Sequence, residues 1–314
     1  MKYLVTGGAG FIGSHLIGKL LDKGEVIALD NLSEGKRENI EPFHNNGNFT
    51  FKEADLREPD SYDALLQGVD VVFHLAAHRD VRRGVERPDI DVDNGIIATF
   101  NLLEAMRKHN VKKIVFSSSQ VVYGDPTEFP VSESYGPLLP ISIYGASKLS
   151  CESLIMSYSH TFEMRSWIFR FANIVGPRGT HGVIPDFIGK LKKDQTKLEI
   201  LGDGKQTKPY MAVDDCADAI LFALENATDE VNLFNLGTDD WTNVTRIAEI
   251  VIEECGLENV ELAYTGGSRG WVGDVPRIKL SIDKIQNLGF KPKNNSEEAV
   301  RLAAKSLVGL LWKD

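Results

Sequence analysis

The sequence predicts an α/β protein: a doubly wound parallel sheet with helices on both faces, and a smaller α/β domain interleaved toward the C-terminus. Two observations carry the first part. Short, wholly apolar runs alternate with helical patterns through the first half of the chain, and strands apolar on both faces belong to parallel sheets covered by helices. The first run also passes through a glycine-rich turn directly into the first helix. The second part rests on a change of texture after residue 172. From there to 212 the chain is rich in Gly, Pro and Lys, with no separable linker.

Taken in order, strands are expected at Tyr3–Val5, Val26–Leu29, Phe49–Phe51, Val69–Leu75, Lys113–Ser117 and Arg165–Phe171. Helices are expected at Ile12–Leu21, Ser61–Leu66, Asn94–Lys108 and Tyr144–Tyr158. Beyond the change of texture, a short helix is read at Phe187–Lys193, an amphipathic one from Val213 to Leu224, and one more strand at Leu233–Leu236. Three further helices follow at Val244–Cys255, Asp283–Leu288 and Glu297–Leu311.

With 314 residues and 42% hydrophobic content the chain can bury a sizeable core. Its formal net charge of -10 argues against nucleic acid or an anionic membrane as the main partner, since both reward a basic face. No apolar run reaches membrane-spanning length and no leader pattern precedes the first strand, so the cytoplasm is the expected address. Cys151, Cys216 and Cys255 lack metal-ligand spacing and read as reduced thiols in helices. His15 and His74 read as packing or backbone-bonding residues, and no metal site is expected.

Gly7, Gly10 and Gly13 follow the first strand and open the first helix. One glycine permits the tight turn, one lets the backbone approach a pyrophosphate, and one allows close helix–strand packing. The helix N-terminus offers its N–H groups to the anion. This is the Rossmann-type dinucleotide fingerprint in its proper context of strand before and helix after. Asp30 ends the second strand at the distance expected for the acid that binds the adenine ribose hydroxyls. A carboxylate there repels a 2′-phosphate, which favours NAD over NADP.

Tyr144-Gly145-Ala146-Ser147-Lys148 is the strongest catalytic signal. Residues four apart share a helix face, so Lys148 lies alongside Tyr144. A phenol is a poor base at neutral pH; a neighbouring ammonium and an oxidised nicotinamide both favour its phenolate.

These segments resemble the extended short-chain dehydrogenase/reductases, in the nucleotide-sugar epimerase/dehydratase group, and are most similar there to UDP-glucose 4-epimerases. The likeness spans essentially the whole chain. It is carried by Thr6 to His15, Asp30-Asn31, Asp55-Leu56, Phe73 to Ala77, Ser117 to Ser119 with Val122-Tyr123-Gly124, the Tyr144/Lys148 pair and Arg170 to Asn173. The resemblance implies NAD held by Gly7, Gly10, Phe11, Ile12, Gly13, Asp30, Asn31, Asp55 and Leu56. Leu75, Ala76, Ala77, Asn94, Ser117, Tyr144 and Lys148 complete the cofactor contacts. It makes Ser119, Tyr144 and Lys148 catalytic, and gives Arg79, Ser119, Tyr144, Asn173, Lys208 and Asp274 to a UDP-sugar. Residues 1–172, with 213–237 returning, are then the NAD-binding domain, and 173–314 the nucleotide-sugar-binding domain. A homodimer joined through the helices at Asn94–Lys108 and Tyr144–Tyr158 is implied as well.

The reaction is read from the two residues after Ser119. Relatives that eliminate water resemble one another in an Asp-Glu pair just before the Val-Tyr-Gly stretch, where this chain has Gln120 and Val121. Valine cannot move a proton, which leaves 4-epimerisation of UDP-glucose/UDP-galactose through a 4-keto sugar as the leading reading. UDP-N-acetylglucosamine and UDP-glucuronate are alternative substrates, suggested by Ile278 and by the arginines at 79, 82 and 83. A dehydratase, a reductase and a non-catalytic nucleotide sensor are the alternative classes. Lys208-Pro209 stands where an Arg-Asp often occurs, and Trp271 where an Arg is usual, with Arg269 and Arg277 nearby.

Overall fold

A computed structural model of the chain describes residues 1–78, 83–267, 275 and 277–312, without the side chain of residue 83. The chain divides into two compact units: residues 1–122, 140–170 and 220–234 form the first, and 123–139, 171–219 and 235–314 the second.

The apolar runs of the first half become strands β1 (Lys2–Thr6), β2 (Glu25–Asp30), β3 (Phe49–Glu53), β4 (Val71–His74), β5 (Lys113–Ser119) and β6 (Arg165–Phe171). The second half adds β7 (Asn173–Val175), β8 (Lys197–Ile200), β9 (Thr207–Lys208), β10 (Tyr210–Ala212), β11 (Val231–Leu236), β12 (Thr242–Asn243) and β13 (Glu261–Tyr264). The main helices are α1 (Phe11–Leu20), α2 (Ala98–Lys108), α3 (Ile143–Phe162), α4 (Val183–Lys193), α5 (Val213–Asn226), α6 (Val244–Glu254), α7 (Asp283–Leu288) and α8 (Ser296–Leu311).

A seven-stranded sheet runs in the order β11-β6-β5-β4-β1-β2-β3. β1 pairs in parallel with both β2 and β4, in the registers Val5↔Ala28 and Val5↔Phe73. The winding therefore reverses between β1 and β4, and in such sheets the crevice at the carboxyl ends of the two strands is where a ligand sits. β1 and β4 are buried along almost their whole length, as strands covered on both faces must be. Leu4, Val72, Leu102, Ile114 and Ile155 belong to the core of this unit.

The second unit has its own core, in which Ile188 and Leu191 of α4, Ile247 and Val251 of α6, and Ala303 and Leu307 of α8 meet. Its short strands pair as β7 with β10, β9 with β12 and β8 with β13. Asn295 and Glu298 cap α8 reciprocally.

Several expectations need correction. Ser61–Leu66 is no α-helix but two 3₁₀ turns, Pro59–Ser61 and Asp63–Leu66. Between them Tyr62 takes a non-helical conformation and, fully buried, donates its hydroxyl to the Leu56 carbonyl at 3.3 Å. The helix expected from Asn94 starts as a π-helix, Val92–Ile97, before continuing as α2. This wider turn brings Gly95 against α3, where a Cβ would stand 1.9 Å from Ser147 Oγ. The strand expected at 69–75 is only Val71–His74. Residues 123–139 fall in the second unit instead of with their sequence neighbours. Asn235 helps tie them there, accepting from the Tyr123 hydroxyl at 2.7 Å and donating to the Val131 and Ser281 carbonyls, both at 3.0 Å, beside backbone bonds between Val131 and residues 279 and 281.

Candidate active site

The glycine turn is shaped by contacts that no side chain could share. Gly7 has φ +68°, and a Cβ there would lie 2.8 Å from the Ala76 amide, beyond the end of β4. A Cβ on Gly13 would lie 2.3 Å from the Gly7 carbonyl oxygen. Gly10 precedes α1, and no side chain caps that helix, so its first-turn N–H groups at Phe11, Ile12 and Gly13 remain for a ligand. This arrangement suits the pyrophosphate of NAD.

Asp30 ends β2 with a buried carboxylate that accepts from the Ala9 amide at 3.0 Å and the Leu32 amide at 2.8 Å. Two backbone donors fix the carboxylate at the end of β2, where the acid of a dinucleotide fold stands. Asn31 donates to Asp55 at 2.9 Å, and Arg57 forks onto the same carboxylate at 3.0 and 2.7 Å. The Arg57 fork, with Asn31 adding to it, holds the Asp55 carboxyl well below the usual carboxylate range. Leu56 is buried, its carbonyl taken by Tyr62 and Asn101.

A polar relay runs beneath the crevice. The Ala76 amide donates to Thr6 Oγ1, Thr6 Oγ1 lies 2.8 Å from His74 Nδ1, and His74 Nε2 lies 2.9 Å from Thr99 Oγ1, which donates to Cys151 Sγ at 3.3 Å. Because Thr99 gives its proton to Cys151, it accepts from His74 Nε2–H, and Nδ1 is left to accept from Thr6. Burial, with Lys148 adding repulsion, lowers the pKa of His74 to about 3, so it acts as a fixed spacer and not as an acid or base.

Tyr144, Ser147, Lys148 and Cys151 share one face of α3 and line a pocket with Ala76 and Phe116. Burial raises the Tyr144 phenol above its ordinary value; the Asp91 carboxylate and Cys151 add to that rise, and the Ser119 hydroxyl opposes it. Lys148 is buried, its Nζ donating to the Ser117 carbonyl at 2.6 Å and lying 4.7 Å from the Phe116 ring centroid and 5.8 Å from that of Tyr144. Desolvation pulls its pKa down to about 8. Ser119 ends β5, and its hydroxyl accepts from the Val121 amide at 3.4 Å. The constellation can take a proton from an alcohol at Tyr144 while a nearby ammonium steadies the phenolate.

Of the expected site residues, Ala76, Ala77, Tyr144 and Lys148 line this one pocket of the first unit; the Ser117 carbonyl is bonded to Lys148, the Ser119 hydroxyl acts on Tyr144, and Gly7 lies against Ala76. Asn94 donates to the Ile90 carbonyl at 2.9 Å, and its neighbour Gly95 lines the pocket. Asn173 and Lys208 lie in the second unit, where Asn173 Nδ2 donates to the Pro209 carbonyl at 3.3 Å. Ile278 is buried in that unit, its amide bonded to Thr207. Arg79, Arg82, Arg269, Trp271 and Asp274 lie outside the described residues. Sequence reasoning missed Ser147, Cys151, Thr99, Gly95 and the His78–Asp91 pair, Nδ1 to Oδ1 3.2 Å, in the same wall. The first two were discoverable, three and seven residues after Tyr144 on one helix face.

His15 is backbone-bonded, Nδ1 to the Phe11 carbonyl at 2.9 Å. All three cysteines are free and buried. Among the described residues no cluster of side chains is arranged for a metal ion, and no helix is long and apolar enough to cross a membrane.

Comparison with known proteins gives the same picture. A putative UDP-glucose 4-epimerase of Methanocaldococcus jannaschii is 40% identical over 95% of both chains. The crystal structure of a UDP-galactose 4-epimerase, also 40% identical, superposes with a TM-score of 0.89 over 99% of this chain and 100% of its own. The UDP-glucose 4-epimerase of Thermus thermophilus, solved in complex with NAD, is 33% identical with a TM-score of 0.86, over 99% of this chain and 100% of its own. Residues 3–237 match the model of the NAD dependent epimerase/dehydratase family, and the chain belongs to that family.

Proposed function

We propose that the protein interconverts the C4 epimers of a UDP-hexose, UDP-glucose and UDP-galactose, with NAD as resident cofactor. The observation that carries this reading is the Tyr144/Lys148 face beside Ser119, followed by Gln120 and Val121 in place of any group able to drive elimination. Relatives named UDP-glucose 4-epimerase support it.

Bound NAD would supply a two-electron acceptor that takes hydride from C4 and returns it to the opposite face of the same carbon. The protein's part is proton transfer and orientation. Tyr144 takes the proton of the 4-hydroxyl as the ketone forms and gives it back as the ketone is reduced. Ser119 orients that hydroxyl, and Lys148 keeps a positive charge beside the phenolate. Asn173 and Lys208 are assigned to the substrate diphosphate, Lys208 as a point charge without the fork of an arginine. Arg79 and Asp274 are assigned to the same substrate.

A cytoplasmic homodimer, joined through α2 and α3, is part of this reading. Ile97 at the end of the π-helix, Phe100 on α2 and Ile143 on α3 are each more than 40% exposed, which supports a covered face there. Light scattering of the purified protein tests it, and a monomer removes it. For the reaction, purified protein is incubated with UDP-glucose, UDP-N-acetylglucosamine, UDP-glucuronate and a TDP-glucose control, and products are resolved by chromatography. Conversion of UDP-glucose to its 4-epimer is expected; release of water or carbon dioxide overturns the reading.

A further inference from the structure

One turn past Lys148 on α3, the Glu152 carboxylate is wholly buried, and Arg170 on β6, 3% exposed, grips it with two near-parallel bonds, Nε to Oε1 3.0 Å and Nη2 to Oε2 2.7 Å. The Ser118 hydroxyl also donates to Glu152 Oε1. None of these three groups lines the pocket described above. Yet Ser118 lies between Ser117, whose carbonyl receives the Lys148 ammonium, and Ser119, whose hydroxyl acts on Tyr144.

A buried ion pair is poor evidence for stability, because desolvating both charges offsets most of their attraction; its best-attested use is to fix register. The face of α3 that is buried has need of such a device. It presents Gly145, Ser147, Lys148, Cys151, Glu152, Ile155 and Ser159, with Ile155 the one large apolar side chain among them. Leu154, Met156, Tyr158 and Phe162 pack the second half of α3 against the core, so small and polar side chains that interdigitate weakly are confined to the stretch around Tyr144 and Lys148, where packing alone sets the register least.

We propose that Ser118, Glu152 and Arg170 form a clamp that sets the register of α3 against β5 and thereby positions Lys148 and Tyr144 for proton transfer. They are positioning residues, acting through Lys148 and Tyr144. The turnover part of the test rests on the epimerase reading; the spectroscopic part does not.

The test uses the NAD-loaded protein with Glu152→Leu/Arg170→Met, which replaces the pair by apolar groups of similar size, and Ser118→Ala, which removes one bond. Tyr144 ionisation is followed by near-ultraviolet phenolate absorbance against pH, after subtracting the same titration of Tyr144→Phe. Turnover of UDP-glucose and thermal melting are measured alongside. In the double variant the Tyr144 midpoint is expected to rise by about one pH unit as the phenol is drawn away from the Ser119 hydroxyl that favours its ionised form. Its kcat is expected to fall at least tenfold with KM within about twofold, since small misplacements of reacting groups are costly. Ser118→Ala is expected to shift both in the same direction by less. A double variant that melts like the parent, with midpoint and kcat unchanged, overturns the clamp. Should the double variant not fold, an unchanged Ser118→Ala does the same. If the parent turns over no UDP-hexose, the epimerase reading fails alone and the phenolate titration still decides the clamp.

Discussion

The two helices that build the crevice begin in opposite ways. α1 opens on Gly10 with no side-chain cap, leaving its N–H groups for an anion, and everything it offers is backbone. α3 opens on Ser142, whose hydroxyl accepts from the Gly145 amide at 3.1 Å, so its terminus is satisfied from within. Its chemistry is on side chains instead, along the face Tyr144, Ser147, Lys148 and Cys151. Binding by backbone needs close approach and therefore glycine. Proton transfer by side chains needs a helix held at one height. The first demand is local; the second is met by residues distant in sequence.

The largest effect expected from this contrast is at Tyr144. Tyr144→Phe should lower turnover of UDP-glucose by about 10³-fold while leaving NAD affinity within a few-fold, as read by product chromatography and by the absorbance of retained cofactor. Loss of NAD instead would show that α3 binds as well as reacts.

Next is Gly13→Ala. Its Cβ would meet the Gly7 carbonyl at 2.3 Å, and opening the turn should cost about 1–3 kcal/mol, roughly 5- to 150-fold in NAD affinity. Equilibrium titration with NAD measures it, and unaltered affinity would mean that the turn does not cradle the pyrophosphate.

His74 joins the two regions, since Thr6 precedes the glycine turn and Thr99 reaches Cys151 on α3. Its folded pKa, about 3, lies below the ordinary 6.5. Between those values the unfolded chain binds a proton that the folded one refuses. Stability from this group is therefore complete above pH 6.5 and is lost as pH falls toward 3. Denaturant melts across that window should show it, and His74→Gln should flatten the slope.

The smallest effect is at the cap. Ser142→Ala should cost about 1 kcal/mol in denaturant melts and leave NAD affinity unchanged. A change in affinity would show that the start of α3 reaches the cofactor.

Much of this was legible from residue spacing. Gly7, Gly10 and Gly13 are set by contacts within a few residues or across one strand pair, so their pattern is written in the chain. Tyr144 and Lys148 are one helical turn apart, and the helical period places them together. The π-helix at Val92–Ile97 was not legible, because the contact it serves, Gly95 against Ser147, joins two helices distant in sequence. The 3₁₀ turns around Tyr62 escaped too, since burial of that ring overrode a helical pattern. Asn94 is given to the cofactor by resemblance, and its bond to the Ile90 carbonyl is a contact that spacing alone does not announce.

The sequence by itself determined the parallel sheet, the glycine turn after β1, the acid at the end of β2 and the Tyr144/Lys148 face. Each depends on periodicity or on short-range sterics, which a linear pattern records. Tertiary structure alone decided that Glu152, Arg170 and Ser118 meet in one buried clamp, that His74 is a neutral spacer, and that residues 123–139 join the second unit, tied there in part by Asn235. Those outcomes follow from desolvation and from hydrogen bonds between distant segments, and neither has a period along the chain.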